Sequence, residues 1–290
     1  MSVTTDAHEI AGDFRRPRNT ASQAKGSIHD DATASKLGFR GGTVAGSLHM
    51  DQYVPLLLQA FGEPFLEQGN VSLYFRQATV DQEAVRAFVV PTPGEARARL
   101  RMENEAGDLI SEGTASCLGA DEKTELHGRA RGQTPAVPGA LRLLAACKVG
   151  DETRDVPLRA QAETVARRLE TIPERIPAYE PTGDTPAVLP PSIAVQLFRD
   201  VEKTLWSRIE PVVGLFGAIE LQFLKGPLRA DTDYVGRGRI LALSESPKTE
   251  NIWYQAWASD PKTGEDVGWM IMYLRFLKAS SPLWRDAVAG

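Results

Sequence analysis

Apolar residues along this chain fall into two blocks of one design. In the first, Thr43 to Phe61 ("TVAGSLHMDQYVPLLLQAF") is apolar on nearly every side, through Val44, Leu48, Tyr53 and a Leu56–Leu57–Leu58 run. A helix apolar all round has to be enclosed, so the stretch reads as a buried helix. Pro55 lies inside it and predicts a kink or change of axis there, because proline lacks the amide donor and its ring presses on the preceding turn. Period-two segments follow: "VSLYFRQA", alternating Val71, Leu73 and Phe75, then "AVRAFVVP", "ARARLRME" and "LISEGTASCL", the last two joined by the turn "NEAGD". In the second block, a helix signal from Ser192 to Trp206 starts behind Pro190–Pro191. It is followed by "AIELQFLKG", alternating Ile219, Leu221 and Phe223, and by "YVGRGRILALSE", "NIWYQAWASD" and "VGWMIMYLRFL".

The two helix starts (Val44 and Ser192) and the two first strands (Val71 and Ile219) are each offset by 148 residues. That shared offset marks two copies of one unit, a buried helix followed by an antiparallel sheet that wraps it. The simplest fold of this kind is the hot-dog, and pairing two units edge to edge removes an exposed sheet edge from each. The expectation is an α+β double hot-dog. Residues 1–120 form the first unit, 121–139 ("GADEKTELHGRARGQTPAVPG" and its surroundings) a polar, loop-like linker, and 140–290 the second unit. Two unrelated α+β domains are the alternative. The proline-rich stretch Ile172 to Pro191 reads as an irregular loop running into the second helix, and "RLRMENE" and "ARRLETIPERI" as solvated charged faces.

Composition changes the picture by exclusion. The 290 residues are 42% hydrophobic and 24% charged, an ordinary globular balance. A net charge of −5 supplies no long-range positive field, which argues against nucleic-acid or anionic-membrane binding and leaves room for a local basic pocket and an anionic small molecule. Cys117 and Cys147 sit in apolar runs and read as small core residues. No CxxC, HExxH or Cys/His cluster points to a metal, and no GxGxxG or GxxxxGK[ST] loop points to a nucleotide cofactor, so none is expected. The N-terminal stretch does not resemble a signal peptide and no apolar run reaches membrane-spanning length, so a cytoplasmic location is expected.

The densest chemistry lies in "GSIHDDATASKLGFRGGTVAGSLH", Gly26 to His49. An imidazole exchanges a proton readily near neutral pH, so His29 can serve as general acid or base. Asp30 and Asp31 beside it can orient or charge-stabilise its ring. Gly41, Gly42 and Gly46 allow a ligand close to the backbone, and the helix that opens behind them offers unpaired N–H groups for a developing oxyanion. Arg40 can meet a carboxylate or phosphate. His49, one turn into the helix, either packs in the core or faces the same pocket. A plainer reading runs alongside: Asp30 or Asp31 caps a short helix "DATASKL", Gly38 ends it in the left-handed conformation, and His29 is a loop histidine bonded to backbone. His8 and His127 lie in polar segments and carry no expected role. Trp253, Tyr254, Trp257 and Trp269 read as sheet core or interface rather than as a cofactor box.

"SIHDDATASKLGFRGGTVAGSL" resembles the hydratase motif of MaoC-like dehydratases and (R)-specific enoyl-CoA hydratases. Ile28, His29 and Asp31 match its Ile-His-x-Asp part. Gly38, Phe39, Gly41 and Gly42 match the glycine turn, and Gly46 the glycine that opens the helix. The motif covers about 25 residues, and the double-unit organisation extends the likeness over most of the chain. Three positions depart from it: the family's catalytic aspartate is Ala24 here, its Asn-Pro pair is Gly26–Ser27, and the histidine of its His-Gly pair is Ala45. The second unit has Ala178–Tyr179 at the matching place, with no histidine.

The resemblance implies a hydratase or dehydratase acting at the Cα–Cβ bond of an acyl substrate, a thioester carried on CoA or on a carrier. His29 would move the proton with Asp30 or Asp31, and Gly46, Gly42, Arg40, His49 and Tyr179 would surround the substrate. Two other readings stand beside it. One is a hot-dog protein that binds acyl or other small ligands without turnover, favoured by Ala24 and Ala45. The other is a thioesterase, for which Asp51 is the only carboxylate on the helix. A homodimer is possible.

Overall fold

In the first unit a helix break follows the candidate loop. In the computed structural model, which describes residues 8–285 other than 120, 122, 123, 138, 173, 207, 208, 210 and 211, a short helix α1 (Asp31–Lys36) precedes the apolar stretch. The expected long helix is two, α2 (Gly46–Asp51) and α3 (Val54–Phe61). Pro55 is the second residue of α3. It has no N–H to give the Asp51 carbonyl four residues back, so the axis changes just before it, at Gln52–Tyr53. α4 (Pro64–Gln68) closes the helical segment. The first seven residues, and with them part of the stretch read as lacking a signal peptide, lie outside the described residues, as do the last five.

Among the described residues ten strands form one sheet, antiparallel throughout. In chain order they are β1 (Ile10–Ala11), β2 (Gly69–Phe75), β3 (Val85–Pro91), β4 (Arg97–Asn104), β5 (Leu109–Cys117), β6 (Glu152–Leu158), β7 (Gly214–Phe223), β8 (Tyr234–Glu245), β9 (Thr249–Ser259) and β10 (Asp266–Leu277). Their spatial order is β1-β3-β4-β5-β2-β7-β10-β9-β8-β6, so each half repeats the other about the β2–β7 seam. At that seam Ser72 lies opposite Glu220, the residue 148 positions further on, and the repeat read from the sequence thus sits on its own two-fold. The seam turns two sheet edges into interior strands. The outer edges are left to β1, two residues long, and to the charged β6, both of which lack an apolar alternation by which to predict them.

Each sheet half wraps its helix. Tyr53 and Leu57 of the first unit and Ile193, Leu197 and Phe198 of α7 (Pro191–Phe198) share one core with the inward residues of β10, Met270, Met272, Leu274 and Phe276. α7 runs on through a 3₁₀ turn (Arg199–Val201) into α8 (Glu202–Leu205), and a last short helix α9 (Pro282–Arg285) follows β10. α2 and α7 pack against each other, with Asp51 accepting from the backbone of Ser192.

Two segments differ from expectation. The linker contains a helix, α5 (Glu125–Arg131), capped by Thr124. Its Leu126 and Ala130, four apart and so on one face, press on the outer side of the sheet against Trp253, Trp269 and Ile271. His127 of the same helix is half-buried, its ring edge-on to Trp269 at 4.9 Å, so the polar character of the segment hid a docked face. Likewise "ARRLETIPERI" overlaps α6 (Ala162–Leu169), whose Val165 and Leu169 are buried, with Arg168 half-buried and Arg167 exposed. Cys117 and Cys147 are unpaired and half-buried. No helix among the described residues is long and apolar enough to cross a membrane.

Candidate active site at the seam between the units

α1 is a short clamp. Asp30 is its N-cap: Oδ2 accepts from the Thr33 hydroxyl at 2.6 Å and from the Thr33 N–H at 3.3 Å. The Thr33 bond, together with backbone donors, holds its carboxyl below the usual range. The helix ends at Gly38 (φ +85°), where Gly38 donates to the Ser35 carbonyl and Phe39 to the Ala34 carbonyl, a Schellman closure that needs the left-handed residue. The chain then doubles back, so that Thr43 N–H donates to the Ile28 carbonyl at 3.0 Å. Asp31 fastens this turn by accepting from Gly42 N–H at 2.7 Å. A Cβ on Gly42 would stand 2.3 Å from the His29 carbonyl oxygen, so only glycine lets the two strands of the turn meet.

This turn fixes His29. Its Nδ1 lies 2.7 Å from the Thr43 carbonyl oxygen. A carbonyl only accepts, so the neutral ring carries its proton on Nδ1 and keeps a lone pair on Nε2. The Asn19 amide holds the His29 carbonyl at 2.8 Å. His29 is therefore anchored at both ends, with one nitrogen left for chemistry.

His29 lines a cavity of about 360 Å³ that both units build. From the first come His29, Gly46, His49, Phe75 and Thr79; from the second come Leu215, Phe216, Lys248, Arg275 and Leu277. Gly46, at the start of α2, faces the Phe75 ring so closely that a Cβ would be 2.8 Å from it. Ala45, at the N-cap of α2, forms no side-chain cap bond to the first turn. His49 is buried, its Nε2 2.8 Å from the Thr79 hydroxyl. Burial pushes its pKa down to about 4, against a weaker pull from Glu83, so the ring is neutral at neutral pH. Thr79 carries no mark in the sequence. It reaches the cavity because its carbonyl accepts from Val44 N–H at 2.9 Å, which ties the segment after β2 to the start of the helical block.

The other candidates lie elsewhere. Asp30 and Asp31 brace the turn rather than line the cavity, as does Gly42. Arg40 is engaged by Glu83 at 2.7 Å on the exposed side. Tyr179 is fully buried in the core of the second unit, where burial drives its hydroxyl well above its usual pKa, and it does not reach the cavity. Asp51, the carboxylate on which a thioesterase reading depends, is turned to α7 and shut off from the cavity by the same packing. Ala24, at the position of the missing aspartate, is exposed on a turn. A larger open groove of about 590 Å³ crosses the outer face of β2, β4 and β5. Its Arg101 and Arg129 are already paired with Glu9 and Glu125, both at 2.7 Å, and no histidine is among its described lining residues, so the seam cavity is the better site.

No protein-family profile matches the sequence, and no curated protein matches it. Solved structures do. A MaoC-like dehydratase superimposes with a TM-score of 0.57 at 13% identity, over 94% of this chain and 99% of the other. A MaoC domain protein dehydratase from Chloroflexus aurantiacus gives 0.56 at 13% identity, over 95% and 99%. A conserved hypothetical protein from Mycobacterium tuberculosis, described as a double hotdog, gives 0.51 at 13% identity, over 94% and 95%. The agreement spans both units and the seam between them. The chain is a double hot-dog protein with the fold of the MaoC-like dehydratases.

Proposed function

We propose that the chain adds water to, or eliminates it from, the Cα–Cβ bond of an acyl thioester, with His29 as the proton carrier. The observation that carries this reading is the His29–Thr43 bond, which commits Nδ1 and leaves Nε2 free to act as a base beside the seam cavity that His29 lines. In the hydration direction, Nε2 takes a proton from water as the water oxygen bonds to Cβ. The electron pair of the double bond moves to the thioester oxygen as an enolate, and the imidazolium returns its proton to Cα. One base thus serves both halves of the step. The Gly46 N–H, uncapped by any side chain of Ala45, would meet the enolate oxygen. The Thr79 hydroxyl, oriented by neutral His49, is a polar group for the water that the family's aspartate would otherwise hold. Asp31 acts through Gly42, keeping the turn closed.

The test is the hydration of a panel of 2-enoyl thioesters, followed by loss of the conjugated absorbance, in the wild type and in His29→Asn. Asparagine keeps a donor for Thr43 but has no base. A fall in kcat of about 10²–10⁴ is expected, the range a positioned general base supplies. Full activity in His29→Asn would overturn the assignment. A second reading, ligand binding without turnover, draws on exposed Ala24: thioesters that bind while none in the panel reacts would favour it.

A further inference from the structure

The charges of the seam cavity have one sign. Arg76, Lys248 and Arg275 line it together with the two histidines, and among the described residues no aspartate or glutamate does, in a chain whose net charge is −5. The three cations differ in what they already hold. Arg76 is exposed, paired with Glu112 and laid over the Tyr74 ring. Lys248 is exposed at the rim. Arg275 is half-buried, and its Nε is shut off from solvent with no hydrogen-bond partner; its guanidinium forms no ion pair among the described residues.

The fold makes room for this arginine. On β10, Met272, Leu274 and Phe276 point to the core, while Tyr273 and Arg275 take the other face, after a register shift between Tyr273 and Leu274. Opposite that shift stands Gly217. A Cβ there would lie 2.3 Å from the Tyr273 ring and 3.0 Å from Arg275 Cδ, so glycine leaves the space through which the stem passes. A guanidinium nitrogen held out of water without an acceptor is costly, and the planar fork it belongs to fits the two oxygens of a carboxylate.

We infer that the substrate carries a carboxylate on its acyl part and that Arg275 binds it, making a short dicarboxylic acyl thioester the preferred class. The thioester end at His29 rests on the function proposed above; the carboxylate at Arg275 does not. The acyl part is favoured over a phosphate of the thiol carrier for two reasons. A cavity of about 360 Å³ is at the small end for ligand sites and takes a short chain, not a nucleotide. The exposed Lys248 and Arg76 are open to a carrier's phosphates, whereas Arg275 Nε is closed to solvent.

The experiment uses the full chain and N-acetylcysteamine thioesters, which contain no phosphate. Calorimetry compares the saturated glutaryl ester with the uncharged pentanoyl ester in the wild type, Arg275→Met, Arg275→Lys and His29→Asn. The glutaryl ester should bind the wild type about 10–100-fold more tightly, as charge-assisted hydrogen bonds of this kind allow. Arg275→Met should erase that preference, Arg275→Lys should restore part of it, and His29→Asn should keep it. Equal affinity of the wild type for both esters overturns the inference. So does an effect of Arg275→Met confined to CoA esters, which would assign the arginine to a phosphate. Arg275-dependent glutaryl binding without turnover of any dicarboxylic enoyl ester would retain the inference and remove the hydratase reading.

Discussion

Asp51 Oδ1, at the end of α2, lies 2.8 Å from the backbone nitrogen of Ser192 in the first turn of α7. A carboxylate from one unit thereby caps the central helix of the other. The junction is dry: Asp51 is 1% exposed, and its Oδ2, the Ser192 hydroxyl and the Tyr179 hydroxyl have no hydrogen-bond partner. Burial raises the Asp51 pKa from 3.8 to about 6, partly offset by the bonds from Ser192. Two residues earlier, His49 goes the other way, from 6.5 to about 4.

These two groups make opposite contributions to stability over one pH range. Between pH 4 and 6 the folded Asp51 holds a proton that the unfolded chain has released, so its contribution is present in acid and lost as pH rises through about 6. Between pH 4 and 6.5 the unfolded His49 holds a proton that the folded one lacks, so its contribution is lost as pH falls towards 4. Asp51→Asn should therefore gain stability relative to the wild type as pH rises from 4 to 6, and His49→Gln as pH falls from 6.5 to 4. Each difference should reach at most about 3 kcal/mol. Urea titrations at five pH values measure both, and difference curves that stay flat would refute the account.

Removing the cap is a separate matter from its charge. Asp51→Ala leaves the Ser192 N–H buried without an acceptor and opens a small void at the α2–α7 contact. A loss of about 1–3 kcal/mol is expected, whereas Asp51→Asn, which keeps an acceptor, should lose less at pH 7. Thermal unfolding at that pH ranks the two variants. Asp51→Ala as stable as Asp51→Asn would mean that the cross-unit cap contributes nothing.

The repeat was readable because it rests on hydrophobic period. The 148-residue offset between Val71 and Ile219 reports two matched strands, and those strands meet at the seam. The glycine turn was readable because Gly38 and Gly42 answer to backbone geometry, which residue type reveals directly. What the sequence hid depends on distance in space. Nothing around Thr79 signals that it faces His49, 30 residues away, and nothing in "YLRFL" signals that Arg275 reaches the cavity of the first unit. Asp30 and Asp31 looked catalytic because they follow His29. Folding spends one on Thr33 and the other on Gly42, since a helix start needs acceptors before any ligand arrives. Helix α5 was hidden by its charged residues, among which only Leu126 and Ala130 carry the docking face.

On the proposed function Asp31 is accordingly a positioning residue. Its bond to Gly42 N–H holds the turn that presents the Thr43 carbonyl to His29. Asp31→Asn retains an acceptor and should leave kcat within a few-fold. Asp31→Ala should lower kcat by roughly tenfold while KM moves little, because the base is displaced and the cavity wall is not. A rise in KM with kcat unchanged would place Asp31 against the substrate instead.

Gly46 gives the sharpest test of the cavity, because its role is defined by one ring. The added methyl of Gly46→Ala would stand 2.8 Å from Phe75 Cζ and 2.9 Å from Cε2. Phe75 is half-buried at the end of β2 and lines the cavity, so the space it can yield into is the ligand's own. Gly46→Ala should therefore raise KM about tenfold or more and cost roughly 1–3 kcal/mol of stability, as overpacking does. Phe75→Leu in the same chain removes the ring edge that meets the methyl, so the double variant should recover both stability and affinity relative to Gly46→Ala alone. The coupling is measured by a four-way cycle of melting temperature and KM. Strict additivity of the two substitutions would show that Gly46 and Phe75 do not share the cavity wall.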